Sequence, residues 1–243
     1  MRYKLILSYD GVGYNGWQVQ NNKTTIQGEV NRVLSQVLKC DIFVTASGRT
    51  DTDVSAIAQV AHFEYEGNLP KNIVGHCNNL LPESIRITQI VECADFHARF
   101  DAKRKTYMYK FYVSKTPNAY YDKFAYHVKY DCDFDLMQSS VKYLLGTHDF
   151  SSFCASNTQV VDKVRTIYDA NLTCEGDLIT FTITGNGFLY NMVRIIVGTL
   201  IQIGTKKLPA DTMAKIIGFK DRKMAGPTVP ARALTLVSVN YES

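Results

Sequence analysis

The sequence has no long hydrophobic run and no signal-peptide pattern. Its longest apolar stretch, Met192 to Ile203, is interrupted by Arg194, Gly198 and Gln202, whereas a membrane span needs about 20 consecutive apolar residues. The apolar stretch at the N-terminus is short and alternates with polar residues, unlike the core of a signal peptide. These absences predict a cytoplasmic protein that has no membrane partner.

Paired cysteines and clustered metal ligands are also missing. The six cysteines are scattered without a C-x-x-C pair, and the five histidines show no H-E-x-x-H spacing. Cysteines used in this way are typical of reduced cytosolic thiols rather than of disulfides or a zinc site. The sequence therefore predicts no metal and no bound cofactor.

The charge balance is only mildly basic, with a net charge of +4 at pH 7. Positive residues are concentrated at Lys103-Arg104-Lys105, at Lys206-Lys207 and between Lys215 and Lys223. Such clusters can bind the phosphates of a nucleic acid, but each one can equally be ordinary solvated surface. With 46% hydrophobic and 21% charged residues, the composition is that of an ordinary globular protein.

The hydrophobic pattern alternates between strand and helix in both halves of the chain. Residues 3–9 alternate as a strand does, and a helix capped by Thr24 or Thr25 has apolar residues at helical spacing from Ile26 onward. A second long helix is predicted near 188–203. We therefore expect an α+β fold with two similar domains, 1–113 and 114–243, divided within the segment 114–123.

The segment from Gly11 to Gly16 fits G-x-G-x-x-G and follows a strand. A dinucleotide-binding fold would require a helix to begin at these glycines, but the helical pattern starts only about eight residues later. The segment is better interpreted as a glycine-rich turn. Its polar and aromatic side chains could contact RNA, and a tight turn around a half-buried Trp17 is an equal alternative. The side chains considered are Tyr14, Trp17, Gln18 and Gln20.

Two segments contain residues suited to catalysis. Gly48-Arg49-Thr50-Asp51 lies between two predicted strands, where polar loops often present catalytic groups. Taken alone, a loop of this composition is more often a salt-bridged turn. Tyr107 lies at the beginning of a predicted strand, next to the basic cluster 103–105, so it can face a cleft.

Arg194 stands among apolar residues in the predicted helix 188–203. A guanidinium group that is buried without a partner is destabilising by several kcal/mol, so Arg194 is expected to pair with a carboxylate from elsewhere in the chain. The alternative is an arginine whose long side chain reaches the surface.

Motifs along nearly the whole chain resemble the TruA-type tRNA pseudouridine synthase family. In chain order they are Tyr9-Asp10-Gly11, Gly16-Trp17-Gln18, Thr25-Ile26-Gln27-Gly28, Gly48-Arg49-Thr50-Asp51, Phe96-His97-Ala98-Arg99, Tyr107-Met108-Tyr109, Gly146-Thr147-His148-Asp149-Phe150-Ser151-Ser152-Phe153, Met192-Val193-Arg194, Val197-Gly198-Thr199-Leu200 and Ala225-Gly226-Pro227-Thr228. The order and number of these motifs make the likeness specific. It implies two halves with antiparallel sheets joined around a central RNA-binding cleft, and a homodimer that binds tRNA.

The resemblance also implies a role for each site residue. Asp51 is the catalytic aspartate, Tyr107 stacks on the flipped uracil, and Arg194 pairs with the aspartate. Arg49 helps to displace the target base, and the cluster Lys103, Arg104 and Lys105 is expected to bind RNA phosphates. The implied substrate is uridine at tRNA positions 38 to 40, in the anticodon stem-loop.

One position departs from the family pattern, because Asp53 stands where the family has glycine. If the backbone there has a positive φ, aspartate tolerates it better than most residues do. Two alternative functions remain. A non-catalytic RNA-binding homologue would be expected to lack one of the three catalytic residues, and a base methyltransferase would need a cofactor loop at a helix N-terminus.

Overall fold

The computed structural model describes residues 1–156, 158, 160–209 and 211–242. It divides into a unit formed by Met1–Lys103 with Thr235–Ser243 and a unit formed by Arg104–Leu234. The elements of the first unit are β1 (Arg2–Tyr9), α1 (Ile26–Leu38), β2 (Thr45–Ala46), β3 (Ser55–Glu64), α2 (Ile73–Leu80), β4 (Ile85–Glu92) and β10 (Leu234–Asn240). Those of the second unit are β5 (Arg104–Val113), β6 (Tyr126–Val128), α3 (Phe134–Val141), β7 (Gly146–Asp149), β8 (Val164–Glu175), β9 (Leu178–Gly185), α4 (Met192–Gly204) and α5 (Thr212–Phe219).

The sheet of the first unit has the order β4-β1-β3-β10. Strand β1 is antiparallel to both of its neighbours, and Leu5 lies opposite Ala61 on one side and Ile90 on the other. Every second side chain of β1 is buried, as the sequence pattern predicts. The last strand, β10, pairs with β3 in the parallel direction, so the first unit is completed by residues from near the end of the chain.

Helix α1 begins where its cap predicts. The Thr25 side chain accepts a hydrogen bond from the Gly28 backbone N–H at 3.2 Å, which makes Thr25 rather than Thr24 the N-cap. One face of the helix is buried, formed by Ile26, Val30, Val33, Leu34 and Leu38. This face has the helical spacing that the apolar residues of the sequence indicate.

The second unit contains an antiparallel sheet of order β5-β9-β8-β7, and β6 adds to β5 in the parallel direction. Tyr109 lies opposite Phe181 and Phe111 lies opposite Ile179, and Tyr109 and Phe111 are both fully buried. The predicted α+β class with antiparallel strands is confirmed in each unit. Among the described residues, no helix is long and apolar enough to span a membrane.

The boundaries of the two units differ from the expected division between 113 and 114. Strand β5, expected in the first domain, pairs with β9 from Lys105 to Tyr112 and belongs to the second unit. Strand β10, assigned to the second domain, belongs almost entirely to the first unit because it pairs with β3. Both differences come from strand pairing between segments that are distant in sequence.

Candidate active site

Asp51 lies in the loop between β2 and β3, and its side chain is half-buried. On one side of it, Thr50 is buried, and the preceding Arg49 is exposed. On the other side, the Val54 backbone N–H donates to the Asp51 carbonyl at 3.2 Å and closes a turn. The loop therefore presents Arg49 to solvent and keeps the Asp51 carboxylate partly sheltered.

A buried hydrogen-bond network holds the start of this loop. The Tyr9 hydroxyl lies 2.8 Å from Thr50 Oγ1, and the Gln59 amide donates to the Tyr9 oxygen at 3.3 Å and to the Gly48 carbonyl at 3.1 Å. Ser47 donates to the Gln59 amide oxygen at 2.8 Å. Burial raises the pKa of Tyr9 to about 12, so this hydroxyl keeps its proton at neutral pH. Because its side chains satisfy one another in a buried site, the network favours one loop conformation.

The glycine-rich turn packs directly against the same loop. Gly16 has a φ of +78°, and a Cβ there would lie 2.7 Å from the Thr50 carbonyl oxygen and 3.0 Å from the Asp51 carbonyl carbon. The Trp17 backbone N–H donates to that Thr50 oxygen at 3.0 Å. Trp17 itself is only 1% exposed, so the expectation that its ring is available for RNA is wrong. The turn instead supports the loop through backbone contacts, which only glycine permits at this distance.

Asp53 has a φ of +63°, which confirms that the residue in the family's glycine position adopts a left-handed conformation. Its carboxylate accepts a hydrogen bond from the Gly13 backbone N–H at 3.0 Å, and its own N–H donates to the Tyr14 carbonyl at 3.3 Å. Asp53 therefore connects the Asp51 loop to the glycine-rich turn through two hydrogen bonds.

Arg194 lies in the first turn of α4 and is half-buried, between Val193 and Ile195, which are both buried. Its Nε donates to the Val229 carbonyl at 2.7 Å, and one terminal nitrogen donates to the Asn191 side-chain oxygen at 2.7 Å. These two acceptors fix the plane of the guanidinium group. Both are neutral, so the pairing of Arg194 with a carboxylate stays a prediction.

The segment that supplies the Val229 carbonyl contacts the backbone of α4 closely. A Cβ at Gly226 would lie 2.6 Å from the Thr199 nitrogen, and a Cβ at Gly198 would overlap the Pro227 carbonyl oxygen. The Gly226 N–H donates to Thr199 Oγ1 at 2.9 Å. Glycine at both positions is what allows this contact, and through it the segment 225–229 sets the orientation of Arg194.

Tyr107 lies near the start of β5, opposite Ile183, and is half-buried. Its ring meets Phe188 edge to face, with centroids 5.1 Å apart and an interplanar angle of 82°. Two residues further along the strand, the fully buried Tyr109 donates its hydroxyl proton to the Pro230 carbonyl at 2.9 Å. The structure therefore separates Tyr107, which keeps partial exposure, from Tyr109, which is part of the core, as the sequence predicts.

Comparison with known proteins places these features in a family. Residues 141–242 match the family described as tRNA pseudouridine synthase. The chain is 47% identical over 236 residues to tRNA pseudouridine synthase A of Halalkalibacterium halodurans, which covers 96% of this chain and 90% of the relative. It is 44% identical over 242 residues to tRNA pseudouridine synthase A of Brevibacillus brevis, covering 99% of each chain, and 44% identical over 248 residues to that of Bacillus subtilis, covering 100% of each.

The chain belongs to the tRNA pseudouridine synthase A family. This confirms the family predicted from the sequence motifs and the predicted enzyme class, an isomerase. The match includes both units, since the identity to each relative extends over almost the full length of both chains.

The basic residues predicted to bind RNA lie on the surface of this member of the tRNA pseudouridine synthase A family. Lys103 and Arg104 are exposed, and Lys105 is half-buried. The Arg104 guanidinium lies over the Tyr168 ring, 4.6 Å from its centroid. A cation held against an aromatic ring in this way has a restricted position but keeps the remaining guanidinium edge available for a phosphate.

The sequence did not reveal which buried side chains hold the Asp51 loop in place. Tyr9 and Gln59 are buried polar side chains on β1 and β3, and Thr50 is buried beside them. The available signal was a glutamine inside the otherwise apolar run from Ala56 to Ala61. Within the described part of this family member, no three His, Cys, Asp or Glu side chains form a group able to hold a metal ion.

Proposed function

We propose that the chain isomerises uridine to pseudouridine in tRNA, at positions 38 to 40 of the anticodon stem-loop, with Asp51 acting on the ribose. The proposal depends mainly on one observation. In a member of the tRNA pseudouridine synthase A family, the Asp51 carboxylate lies half-buried in a loop that a buried network and a glycine-rich turn hold from two sides. A preorganised carboxylate of this kind suits attack on an electron-poor anomeric carbon.

The reaction breaks the N1–C1′ bond, forms a C5–C1′ bond and moves a proton from C5 to N1. Atoms and electrons balance without an oxidant, a reductant or an energy source. Asp51 either adds to C1′ or removes a proton from C2′, and both routes require it to be ionised. We assign Arg194 to stabilise this ionised form and Tyr107 to stack on the uracil, where it can assist the loss of the C5 proton.

The target uridine must leave its stack before it can reach a sheltered carboxylate, at a cost of a few kcal/mol. We assign Arg49, the exposed residue two positions before Asp51, to occupy the space that the base vacates. Lys103, Arg104 and Lys105 would bind phosphates and so position the RNA without reading its sequence. The RNA-binding cleft between the two halves, the homodimer and the cytoplasmic location are further parts of the proposal, carried by the family resemblance.

The decisive experiment measures tritium release from tRNA that contains uridine tritiated at C5, with no added cofactor. Asp51→Asn is expected to lower the rate at least about 1,000-fold, as removal of a nucleophile does in other enzymes. Asp53→Asn is the matched control, since it changes the other carboxylate of the same loop and asparagine tolerates a positive φ. It should retain most of the activity.

Equal rates for wild type and Asp51→Asn would remove the assignment. A wild-type chain that binds tRNA but releases no tritium would instead be the non-catalytic RNA-binding homologue. Transcripts that carry uridine at only one of positions 38, 39 and 40 show which of these positions is modified. A transcript that has no uridine at any of the three should release no tritium.

The role of Arg194 has a separate test. If Arg194 acts by stabilising the ionised Asp51, then Arg194→Met lowers kcat in the wild-type background but has little further effect in Asp51→Asn. Additive losses would show that the two residues act independently.

A further inference from the structure

Phe100 is a large aromatic side chain that the fold leaves exposed. It is 74% exposed, yet its ring has a defined position because it stacks on His97, with centroids 4.2 Å apart and an interplanar angle of 28°. The guanidinium group of the exposed Arg99 lies 5.8 Å from the Phe100 centroid. The segment 96–101, here called the Phe100 turn, thus presents a largely exposed aromatic ring with a cation over it.

Hydrogen bonds within the Phe100 turn fix its backbone. The His97 N–H donates to the Asp101 carboxylate at 2.7 Å, and the Asp101 N–H donates back to the His97 carbonyl at 3.1 Å. The His97 Nδ1 atom accepts from the N–H groups of Arg99 and Phe100, both at 3.2 Å. The imidazole therefore orients the chain at Phe100 and also forms the lower layer of the stack.

Contacts on the inner side attach the turn to the first unit. The Ala98 N–H donates to His62 Nδ1 at 3.1 Å, and the Ala98 carbonyl accepts from the Tyr241 hydroxyl at 2.8 Å. Phe96, only 7% exposed, packs edge to face on Tyr241 with centroids 4.8 Å apart. These contacts hold the turn against the first unit, and Phe100 is its most exposed apolar residue.

A largely exposed aromatic ring with a fixed position and a neighbouring arginine has the chemistry that binds an unpaired nucleotide. Bases stack on phenylalanine rings in single-stranded RNA recognition, and arginine binds the adjoining phosphate. A preorganised ring gains more from such a stack than a flexible one, because little side-chain entropy is lost on binding. A single exposed phenylalanine is unremarkable alone, but here the surrounding hydrogen bonds hold the ring in place.

We propose that the Phe100 turn is a stacking platform for one unpaired nucleobase of the bound tRNA, with Arg99 contacting its phosphate. The inference rests on tRNA being the substrate, as argued under Proposed function. It assigns an RNA contact to a motif, Phe96-His97-Ala98-Arg99, that the proposed chemistry does not use.

The test compares equilibrium binding of a tRNA transcript to the full-length chain carrying Asp51→Asn, so that the tRNA stays unmodified. Adding Phe100→Ala is expected to weaken binding about 5- to 100-fold, the range for loss of one stacked base. Phe100→Tyr should retain the affinity. Phe43→Ala is the matched control, because Phe43 is 75% exposed in the same unit but lies outside the Phe100 turn; it should leave binding unchanged.

Salt dependence separates the two residues of the platform. Arg99→Gln should lower the slope of log affinity against log salt by about one, whereas Phe100→Ala should lower the affinity without changing this slope. Each variant is checked for an unchanged thermal transition, which is expected because both side chains are exposed.

Unchanged tRNA affinity in Phe100→Ala overturns the proposal, even if the chain isomerises uridine normally. If Phe100→Ala instead changes the molecular mass in solution while tRNA affinity is retained, the ring is a protein contact and the proposal is wrong. Conversely, a chain that releases no tritium but loses tRNA affinity on Phe100→Ala would keep the platform and remove the proposed reaction.

Discussion

Replacing Gly198 by alanine tests whether the contact between α4 and the segment 225–229 supports both the fold and Arg194. The added Cβ would overlap the Pro227 carbonyl oxygen and lie 3.0 Å from its carbon, whereas ordinary contact begins near 3.4 Å. Both partners are backbone, so the segment must move by about 1 Å or more to relieve the overlap. The Gly226 hydrogen bond to Thr199 Oγ1, 2.9 Å long, moves with it.

The expected loss follows from two terms. Overpacking of a close contact costs about 1–3 kcal/mol, and losing a buried hydrogen bond costs about 1–3 kcal/mol. Alanine gains up to about 1 kcal/mol over glycine in a helix, which offsets only part of this. We therefore expect the free energy of unfolding to fall by about 1–5 kcal/mol, and Tm by about 2–20 °C for a chain of this size.

Chemical and thermal denaturation measure this loss, with Gly218→Ala as the control. Gly218 lies in α5, and a Cβ there would have no neighbour within 4 Å in the described part of the chain. The same substitution should therefore stabilise the fold slightly at Gly218 and destabilise it at Gly198. In addition, Gly198→Ala should lower kcat, because the Val229 carbonyl that orients Arg194 lies in the displaced segment. Equal stability of the two variants would refute the reasoning.

Two further predictions concern the first unit. Tyr9→Phe removes a buried hydroxyl that lies 2.8 Å from Thr50 Oγ1. We expect denaturation to show that the free energy of unfolding falls by about 1–3 kcal/mol, and the tritium-release assay to show a lower kcat with an unchanged KM. An unaltered kcat would mean that the network does not position the Asp51 loop. His62 has its pKa lowered from 6.5 to about 4, chiefly by burial and next by the nearby His97. Because the unfolded chain takes up this proton below pH 6.5 and the folded chain does not, the stability that His62 contributes is complete above pH 6.5 and is lost as the pH falls toward about 4. At pH 5 the loss in free energy of unfolding reaches up to about 2 kcal/mol relative to pH 7. Between these pH values, the stability of His62→Gln should therefore depend less on pH than that of the wild type, as measured by denaturation. The same pH dependence in both proteins would contradict this account.

Local periodicity was enough to predict several elements of the fold. The alternation at residues 3–9 corresponds to β1, and the threonine before Ile26 caps α1 as expected. Helix α4 begins at Met192, four residues later than predicted, because Asn191 has a φ of 61° and cannot continue a helix toward its N-terminal side.

What the sequence did not reveal depends on contacts between distant segments. The pairing of β10 with β3 and of β5 with β9 moved the boundary between the two units, and no local pattern specifies such partners. The same is true of the site. The sequence drew attention to the Asp51 loop and raised a positive φ at Asp53 as a condition, but the Tyr9 network requires knowing that the Gln59 amide donates to the Gly48 carbonyl. The reason for glycine at position 16 is also a contact between distant segments, because the backbone of Thr50 and Asp51 lies against it.

The position of β10 has a consequence for how the protein is made. A ribosome releases the N-terminal residues of the first unit long before it adds Leu234–Asn240, so β3 lacks its parallel neighbour throughout most of synthesis. The second unit, by contrast, is one continuous segment and can complete its own sheet first. During that interval the β3 edge exposes unpaired backbone groups, which is where aggregation or a chaperone would act. A stop codon just before residue 234 would therefore damage the sheet built from the earliest residues of the chain, including the strand that follows the Asp51 loop.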